Sequence, residues 1–215
     1  MRARHALAVL LVALTFVGCG SEEGEVADDG APASIADPPR GTEAEREVLV
    51  VGDSLAEERA DLLPAALPGW RVRIDARWGR PLAEGMRILA AEPAPPAILA
   101  ISLFTNDDPQ DVGALQAAVH ATAARPGGCA VWATIAAPPF NGVSYDDANA
   151  LLRRLARDPQ LELELVDWAQ EVARDPSLMS DDEVHASPSG YRARARMYAE
   201  AIRACAERGL GEDGS

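Results

Sequence analysis

The chain has 215 residues, of which 48% are hydrophobic and 25% are charged. This length allows one domain with a substantial core, plus shorter segments at its ends. Acidic residues outnumber basic ones by 34 to 20, every basic residue is arginine, and the formal net charge is −14. Because a nucleic-acid-binding protein needs a basic surface, this charge argues against a nucleic-acid partner. No apolar run reaches the roughly 18 residues of a membrane-spanning helix.

The N-terminal segment has the layout of a secretory signal. Basic residues precede an apolar stretch over residues 6–17, and small residues lead to Cys19. The sequence Phe-Val-Gly-Cys resembles a bacterial lipobox, although Phe16 stands where the lipobox prefers Leu. We predict a signal peptide over residues 1–18 and a lipid on Cys19, which would be the only membrane attachment of an extracytoplasmic envelope protein. The alternative is an ordinary cleaved signal peptide.

The segment that follows is acidic and poor in apolar residues. Residues 20–46 contain eight acidic residues, two arginines and three prolines. Such a segment cannot bury enough apolar surface to offset its loss of chain entropy. We therefore predict a lipidated Cys and disordered tether over residues 19–46, a folded domain over residues 47–209, and a flexible tail over residues 210–215.

Within the predicted domain, short runs of Val, Ile and Leu alternate with segments of helical periodicity. The predicted strands are Val48–Val51, Arg71–Asp75, Ile98–Leu103, Ala130–Ile135 and Leu163–Val166. The predicted helices are Leu55–Leu67, Pro81–Ala91, Asp111–Ala124 and Tyr145–Arg157, with a final helix from Pro188 or Ser189 to about Glu207. This alternation predicts βαβ units, hence a five-stranded parallel sheet between two helical layers in an α/β/α sandwich.

Polar residues follow three of the predicted strands and precede the last helix. In an open parallel sheet, ligands bind beyond the carboxyl ends of the strands. The candidate segments at that edge are Gly52–Leu55, Ala76–Gly79, Phe104–Asp107 and Asp182–His185.

Ser54 lies at a predicted strand-to-helix turn, which suits either a nucleophile or an ordinary helix N-cap. A serine nucleophile needs a base, and only His120 and His185 lie beyond the leader. His120 falls among alanines inside a predicted helix, where a surface or packing role is expected. His185 follows Asp182 by three residues in a polar loop, so the carboxylate can orient the imidazole. Asp181 competes for that role, and a solvated loop is the alternative for the whole segment.

Four blocks of this sequence resemble those of the SGNH (GDSL-type) hydrolase family. They are Val-Val-Gly-Asp-Ser-Leu at 50–55, Gly79, Thr-Asn-Asp at 105–107, and Asp-Glu-Val-His at 182–185, followed by Pro-Ser-Gly-Tyr at 188–191. The blocks occur in the family's order and span roughly residues 47–208. The resemblance implies a flavodoxin-like α/β/α fold and a serine hydrolase.

The resemblance also implies a role for each matched residue. Ser54 would be the nucleophile, His185 its base, and Asp182 the residue that orients the base. The backbone N–H groups of Ser54 and Gly79, together with the side-chain amide of Asn106, would form the oxyanion hole. The alternatives are that Gly79 simply ends a turn and that Asn106 caps a helix.

One position departs from the family pattern. Phe104 stands where the third block of the family usually begins with Gly, two residues before Asn106. A bulky ring at this position predicts a narrowed acyl pocket or a displaced Asn106.

The remaining cysteines form an even pair if Cys19 carries lipid. Cys129 begins a predicted strand and Cys205 ends the last helix, and these ends lie at the same edge of a parallel sheet. We predict a possible disulfide between them; two buried thiols are the alternative. No metal site is predicted, because the histidines and cysteines beyond the leader lack the spacing of paired ligands, and no Gly-rich phosphate cradle is present.

The sequence thus predicts an exported serine esterase that hydrolyses an acyl ester through an acyl-serine intermediate. Its partner would be a small-molecule or glycan ester, with an O-acetyl group on an envelope glycan as the candidate, and no cofactor is expected. Two alternatives remain. One is a non-catalytic lipoprotein that uses the same fold as a binding module, and the other is an O-acyltransferase that uses the same triad.

Overall fold

The computed structural model describes residues 34–36 and 46–209. The predicted signal peptide, Cys19, most of the tether and the tail at 210–215 lie outside the described residues. Residues 34–36 belong to the predicted tether, yet the side chain of Ile35 is buried in the domain core. Ile35 is therefore an exception to the tether prediction, because its apolar side chain gains from burial.

The described elements alternate between strand and helix almost throughout. In chain order they are β1 (Glu47–Gly52), α1 (Ser54–Glu57), α2 (Leu62–Ala66), β2 (Arg71–Ala76), α3 (Leu82–Ala91), β3 (Ile98–Ser102), α4 (Val112–Ala123), β4 (Cys129–Ala133), α5 (Asp146–Leu155), β5 (Leu163–Val166), α6 (Trp168–Arg174) and α7 (Pro188–Gly209). The five strands form one parallel sheet in the order β2-β1-β3-β4-β5. The predicted fold class is confirmed. Of the helices in the described ranges, none combines the length and apolarity that crossing a bilayer requires.

Both faces of the sheet are covered. Along β1, Leu49 and Val51 contribute to one hydrophobic cluster, whereas Val48 and Val50 contribute to the other. The first cluster includes residues of α3, α4 and α5, and the second includes residues of α2, α6 and α7. Burial on both faces explains why the central strands β1, β3 and β4 are almost continuously apolar, whereas the edge strands β2 and β5 include charged residues.

Two helical segments differ from the prediction. The predicted helix Leu55–Leu67 is two short helices, α1 and α2, because Pro64 cannot donate a backbone hydrogen bond and would clash with the carbonyl one turn earlier in a continuous helix. Helix α6 was not predicted. Its N-cap Asp167 accepts a hydrogen bond from the backbone N–H of Gln170, a local signal that the sequence does contain.

The strand order reverses beside β1. The chain passes from β1 outward to β2 and then returns to β3 on the other side of β1. The register pairs Gly52 with Ser102, so the turn after β1 lies beside the loop after β3. A Cβ on Gly52 would lie 2.4 Å from the Cβ of Ala56, so only glycine allows this close approach of strand and helix. In open α/β sheets this reversal is where ligands bind.

The opposite edge of the sheet carries a disulfide. Cys129 is the first residue of β4, and it is joined to Cys205 of α7 with 5.7 Å between the two Cα atoms. The bond therefore joins the last helix to a central strand at the amino ends of the strands, whereas Ser54 lies at their carboxyl ends.

Candidate active site

Ser54 begins α1 directly beyond the carboxyl end of β1. The backbone N–H of Asp53 donates to the Ser102 carbonyl at 2.9 Å, and Asp53 Oδ1 accepts from the Leu55 N–H at 3.0 Å. Asp53 is therefore the N-cap of α1. The alternative that Ser54 serves as the cap is wrong, and its hydroxyl instead faces the loop that carries His185.

Two short contacts join the three predicted triad residues. His185 Nε2 lies 3.0 Å from Ser54 Oγ, and His185 Nδ1 lies 2.7 Å from Asp182 Oδ2. Both distances are within hydrogen-bonding range. Asp181 has no such contact with His185 in the part of the chain that the structure describes, so Asp182 occupies the orienting position.

The loop itself holds Asp182 in place. Its Oδ1 accepts from the backbone N–H groups of Val184 at 2.9 Å and His185 at 2.8 Å, and from the Ser180 hydroxyl at 2.8 Å. The contact with the His185 ring, followed by these donors, holds the pKa of the Asp182 carboxyl well below its ordinary value. The carboxylate therefore stays ionised at neutral pH. Its side chain is 53% exposed, and contact with solvent also favours the ionised form.

The three residues predicted to form the oxyanion hole follow β1, β2 and β3, at the carboxyl ends of three neighbouring strands. Gly79 has a φ of +66°, a backbone conformation that glycine adopts without strain. Within the described residues, the backbone N–H groups of Ser54 and Gly79 have no acceptor. Asn106 Nδ2 lies 3.3 Å from Asp53 Oδ2 and 3.4 Å from the carbonyl oxygen of Arg80, the residue after Gly79. These contacts are long, so the amide can still donate to a stronger acceptor.

The structure excludes the helix-cap alternative for Asn106 but agrees with a turn at Gly79. Helix α4 begins at Val112 with Asp111 as its N-cap, and α3 begins at Leu82 after Pro81, so Asn106 caps neither neighbouring helix. Gly79 does lie in a turn, and the same turn directs its N–H away from any internal partner among the described residues.

A buried polar layer lies beneath Ser54. Arg194, on α7, donates from Nη2 to Ser102 Oγ at 3.0 Å and from Nη1 to the Leu55 carbonyl at 3.4 Å. Asp53 is fully buried, and this burial raises the pKa of its carboxyl. The positive charge of Arg194 acts in the opposite direction and favours the ionised form. The turn that carries Ser54 thus rests on a buried carboxyl group and a buried guanidinium group.

Phe104 is placed differently from the prediction. It has a φ of +81°, so a phenylalanine occupies the left-handed conformation that suits glycine. Its ring is fully buried and meets Tyr145 edge to face, with 6.4 Å between ring centroids. The expectation that the ring narrows the acyl pocket is therefore wrong, because the apolar ring packs into the core under the loop.

Tyr145 supports the loop that carries Asn106. Its hydroxyl donates to the carbonyl of Thr105 at 2.7 Å, one residue before Asn106. Partial burial, followed by nearby carboxylates, raises the pKa of Tyr145 to about 12, so the hydroxyl remains a donor at neutral pH.

Trp78 is a site residue that no sequence motif marks. It precedes Gly79 and is 54% exposed, and its ring centroid lies 4.8 Å from that of His185, with the planes inclined by 33°. Its backbone is held on both sides. The Trp78 N–H donates to Glu57 Oε2 at 2.6 Å, and Arg77 Nη1 donates to the Trp78 carbonyl at 3.2 Å.

Other candidate groups lie elsewhere. His120 is in the last turn of α4, at the edge of the sheet opposite Ser54. Within residues 34–36 and 46–209, no group of three or more His, Cys, Asp or Glu side chains is arranged to hold a metal ion.

Comparisons with known proteins agree with this architecture. No protein-family profile matches the chain, and no curated protein matches it by sequence. Among solved structures, the C-terminal catalytic domain of Streptococcus pneumoniae peptidoglycan O-acetyltransferase A is 21% identical, with a TM-score of 0.60, over 82% of this chain and 96% of that domain. A protein of Slackia heliotrinireducens assigned to the SGNH hydrolases is 24% identical, with a TM-score of 0.54, over 73% of this chain and 98% of that one.

An esterase of Pseudoalteromonas, EstA, is similar in the same way, with 19% identity, a TM-score of 0.56, and coverage of 74% of this chain and 97% of its own. At these identities the likeness concerns the backbone architecture. The sheet order, the flanking helices and these neighbours together show that the chain has the α/β/α fold of the SGNH hydrolases.

Proposed function

We propose that the chain is an exported, lipid-anchored serine esterase whose nucleophile is Ser54. The observation that supports this most directly is the continuous contact from Ser54 Oγ through the His185 ring to Asp182, at 3.0 and 2.7 Å. Ser54 and His185 are 131 positions apart in the sequence, so only the fold brings them together. A hydroxyl, an imidazole and an ionised carboxylate in this order are what nucleophilic acyl transfer requires.

In the first half of the reaction, Ser54 Oγ attacks the ester carbonyl carbon while its proton moves to His185 Nε2. The Asp182 carboxylate stabilises the imidazolium that forms. The carbonyl electron pair moves onto the oxygen, which accepts hydrogen bonds from the N–H groups of Ser54 and Gly79 and from the Asn106 amide. The tetrahedral intermediate then expels the alcohol, which takes the proton from Nε2, and leaves acyl-Ser54.

In the second half, a water molecule takes the place of the alcohol. His185 Nε2 accepts its proton as the water oxygen attacks the acyl carbon, and the same donors bind the oxyanion. Collapse of this intermediate breaks the bond to Ser54 Oγ, returns the proton to that oxygen, and releases the carboxylic acid.

A fluorophosphonate probe tests this proposal directly, because it labels only a serine activated by its own base. We expect wild-type protein to be labelled and the Ser54→Ala variant to be unlabelled and to lose roughly 10⁶ in kcat. The matched control is Ser144→Ala, which removes an exposed hydroxyl that contacts only Asp146 in the described structure. If wild-type protein is not labelled, the binding-module alternative is correct.

Transfer of the acyl group to a sugar hydroxyl is the second candidate. It is supported by the structural neighbour that is named a peptidoglycan O-acetyltransferase. It is also supported by the exposure of Trp78, Gly79 and Asn106, which leaves room for a second alcohol beside the acyl-serine. Product analysis with and without an oligosaccharide acceptor separates the two activities, since a transferase yields an acylated sugar and an esterase yields free acid.

A short acyl group, such as acetyl on an envelope glycan, is the proposed donor. The support is the predicted extracytoplasmic location and the name of the same neighbour, whereas Phe104 no longer contributes because its ring is buried. A series of 4-nitrophenyl esters of increasing chain length measures this preference. Best turnover with long chains would contradict it.

The location is tested through Cys19. We expect the Cys19→Ser variant to lose incorporation of labelled fatty acid and to leave the membrane fraction, while wild-type protein retains both. An unlabelled wild-type protein would instead favour the ordinary cleaved signal peptide.

A further inference from the structure

Trp78 combines exposure with a fixed backbone. More than half of its surface is open to solvent, yet Glu57 and Arg77 bind its backbone on either side. Arg77 is itself paired with Glu84, which anchors it to α3. A single exposed hydrophobic side chain is ordinary at a protein surface, but an indole whose backbone is held and whose ring contacts the base of the proposed triad is positioned to contact the substrate.

The contact with His185 shows which part of an ester would reach Trp78. In acyl transfer, the base returns its proton to the oxygen of the departing alcohol, so that alcohol must lie next to His185 Nε2. The Trp78 ring packs on the same imidazole, with 4.8 Å between ring centroids. An alcohol that departs next to Nε2 is therefore close to the Trp78 ring.

The surroundings of the indole select the chemistry of that alcohol. Charged groups bind the Trp78 backbone beside it: Glu57, which is exposed, accepts from the Trp78 N–H, and Arg77, whose side chain is 52% exposed, donates to the Trp78 carbonyl. A linear aliphatic alcohol would place its chain against these hydrated charges and would have to strip water from them. A ring with an apolar C–H face and hydroxyls around it suits both the indole and the charged groups, because the face stacks on the indole and the hydroxyls bind the charged groups.

We propose that Trp78 forms the alcohol subsite of this active site and that the alcohol is a sugar ring stacked on the indole. This inference rests on the proposed esterase function. It concerns selection of the substrate and not the bond-forming steps, which remain with Ser54, His185 and Asp182.

The experiment uses three acetates that give the same acetyl-Ser54 intermediate and differ only in the primary alcohol released. They are methyl 6-O-acetyl-glucopyranoside, ethyl acetate and hexyl acetate. For Trp78→Ala we expect kcat/KM to fall by about tenfold on the sugar acetate, which corresponds to about 1.4 kcal/mol, and by less than about twofold on ethyl acetate. Trp78→Phe keeps an aromatic face and should recover much of the loss.

Phe140→Ala is the matched control. Phe140 is the other large exposed hydrophobic side chain among the described residues. It follows β4 and, within those residues, does not contact the triad. We expect the ratio of sugar acetate to ethyl acetate turnover to stay at the wild-type value in this variant.

Three results for Trp78→Ala would overturn the inference. An equal fall on all three acetates would mean that Trp78 only positions His185. The largest fall on hexyl acetate would mean that the surface binds an apolar chain, and unchanged kinetics would mean that it binds no part of the substrate. A wild-type protein that is neither labelled at Ser54 nor active on any acetate would overturn the esterase function first, so the two failures are distinguishable.

Discussion

The side chains above Ser54 and those beneath it differ in exposure and in how their charges are compensated. We call Trp78, Asp182 and His185 the rim, and Asp53, Ser102 and Arg194 the floor. In the rim, the Asp182 side chain is 53% exposed, and its charge is stabilised by solvent, backbone donors and His185. In the floor, Asp53 and Arg194 are both buried, and the positive charge of Arg194 favours the ionised form of the Asp53 carboxyl.

This difference predicts which substitutions change the reaction rate and which also change the free energy of unfolding. An exposed charge contributes little to the free energy of folding, because solvent screens it in both states. A buried charge is desolvated, so removing its compensating partner leaves a large penalty. Substitutions in the rim should therefore change the rate with little effect on unfolding, whereas substitutions in the floor should change both.

The largest expected effect is in the rim. Asp182→Asn keeps an acceptor for the backbone N–H groups of the loop but removes the negative charge that stabilises the His185 imidazolium. We expect kcat to fall by roughly 10³–10⁴, with a melting temperature close to wild type. Ester hydrolysis and thermal unfolding measure the two quantities. Asp181→Asn is the matched control, and we expect it to leave both quantities unchanged. A marked loss of melting temperature in Asp182→Asn would contradict the proposed difference between rim and floor.

The next effect is in the floor. Arg194→Met keeps the length of the side chain and removes the charge that favours the ionised form of Asp53. We expect the free energy of unfolding to fall by several kcal/mol, because this charge is lost and because Ser102 Oγ and the Leu55 carbonyl lose their donor. Activity should fall as well, since Asp53 contacts both the nucleophile turn and Asn106. Arg194→Lys retains a positive charge and should retain part of the stability.

The pH dependence of that loss identifies its cause. Burial already raises the pKa of Asp53 in the folded protein, and removing Arg194 raises it further, so the folded state binds a proton more readily than the unfolded state. Stability of Arg194→Met should therefore decrease as pH rises from the ordinary pKa of Asp toward the raised one, and the loss persists above it. The difference from wild type should be smallest at low pH, where Asp53 is protonated in both proteins, and should grow as the pH rises. A difference independent of pH would show that packing, not charge, is responsible.

Removing the disulfide should change stability at a place remote from both the rim and the floor. Cys129 and Cys205 close a sequence separation of 76 residues at the edge of the sheet opposite Ser54. The double variant Cys129→Ser and Cys205→Ser should lose about 2–4 kcal/mol of unfolding free energy, while kcat below the melting transition stays near wild type. Chemical denaturation and hydrolysis at low temperature test both statements. Loss of kcat in the folded double variant would show that the two edges are coupled.

The contrast between rim and floor also explains what could be predicted from the sequence. The strands were predictable because runs such as Ile98–Leu103 are apolar on both faces, and Ser54 and His185 were predictable because their loops carry recognisable motifs. The contact between Trp78 and His185 was not, because it depends on how two loops far apart in the chain meet. Arg194 shares a helical face with Tyr191 and Tyr198, which indicates burial, but its partners follow only from the tertiary structure.

The smallest expected effect is the difference in stability between two substitutions of Phe104, which joins the buried core to the loop of Asn106. Removing its buried ring should lower the free energy of unfolding by about 3–5 kcal/mol in both Phe104→Ala and Phe104→Gly. The two variants differ in the backbone, because alanine retains the strain of the left-handed conformation at φ +81° and glycine relieves it. Phe104→Gly should therefore be the more stable of the pair by about 1 kcal/mol in chemical denaturation. If Phe104→Ala is as stable as Phe104→Gly, the loop changes conformation when the ring is lost, and Asn106 depends on that ring for its position.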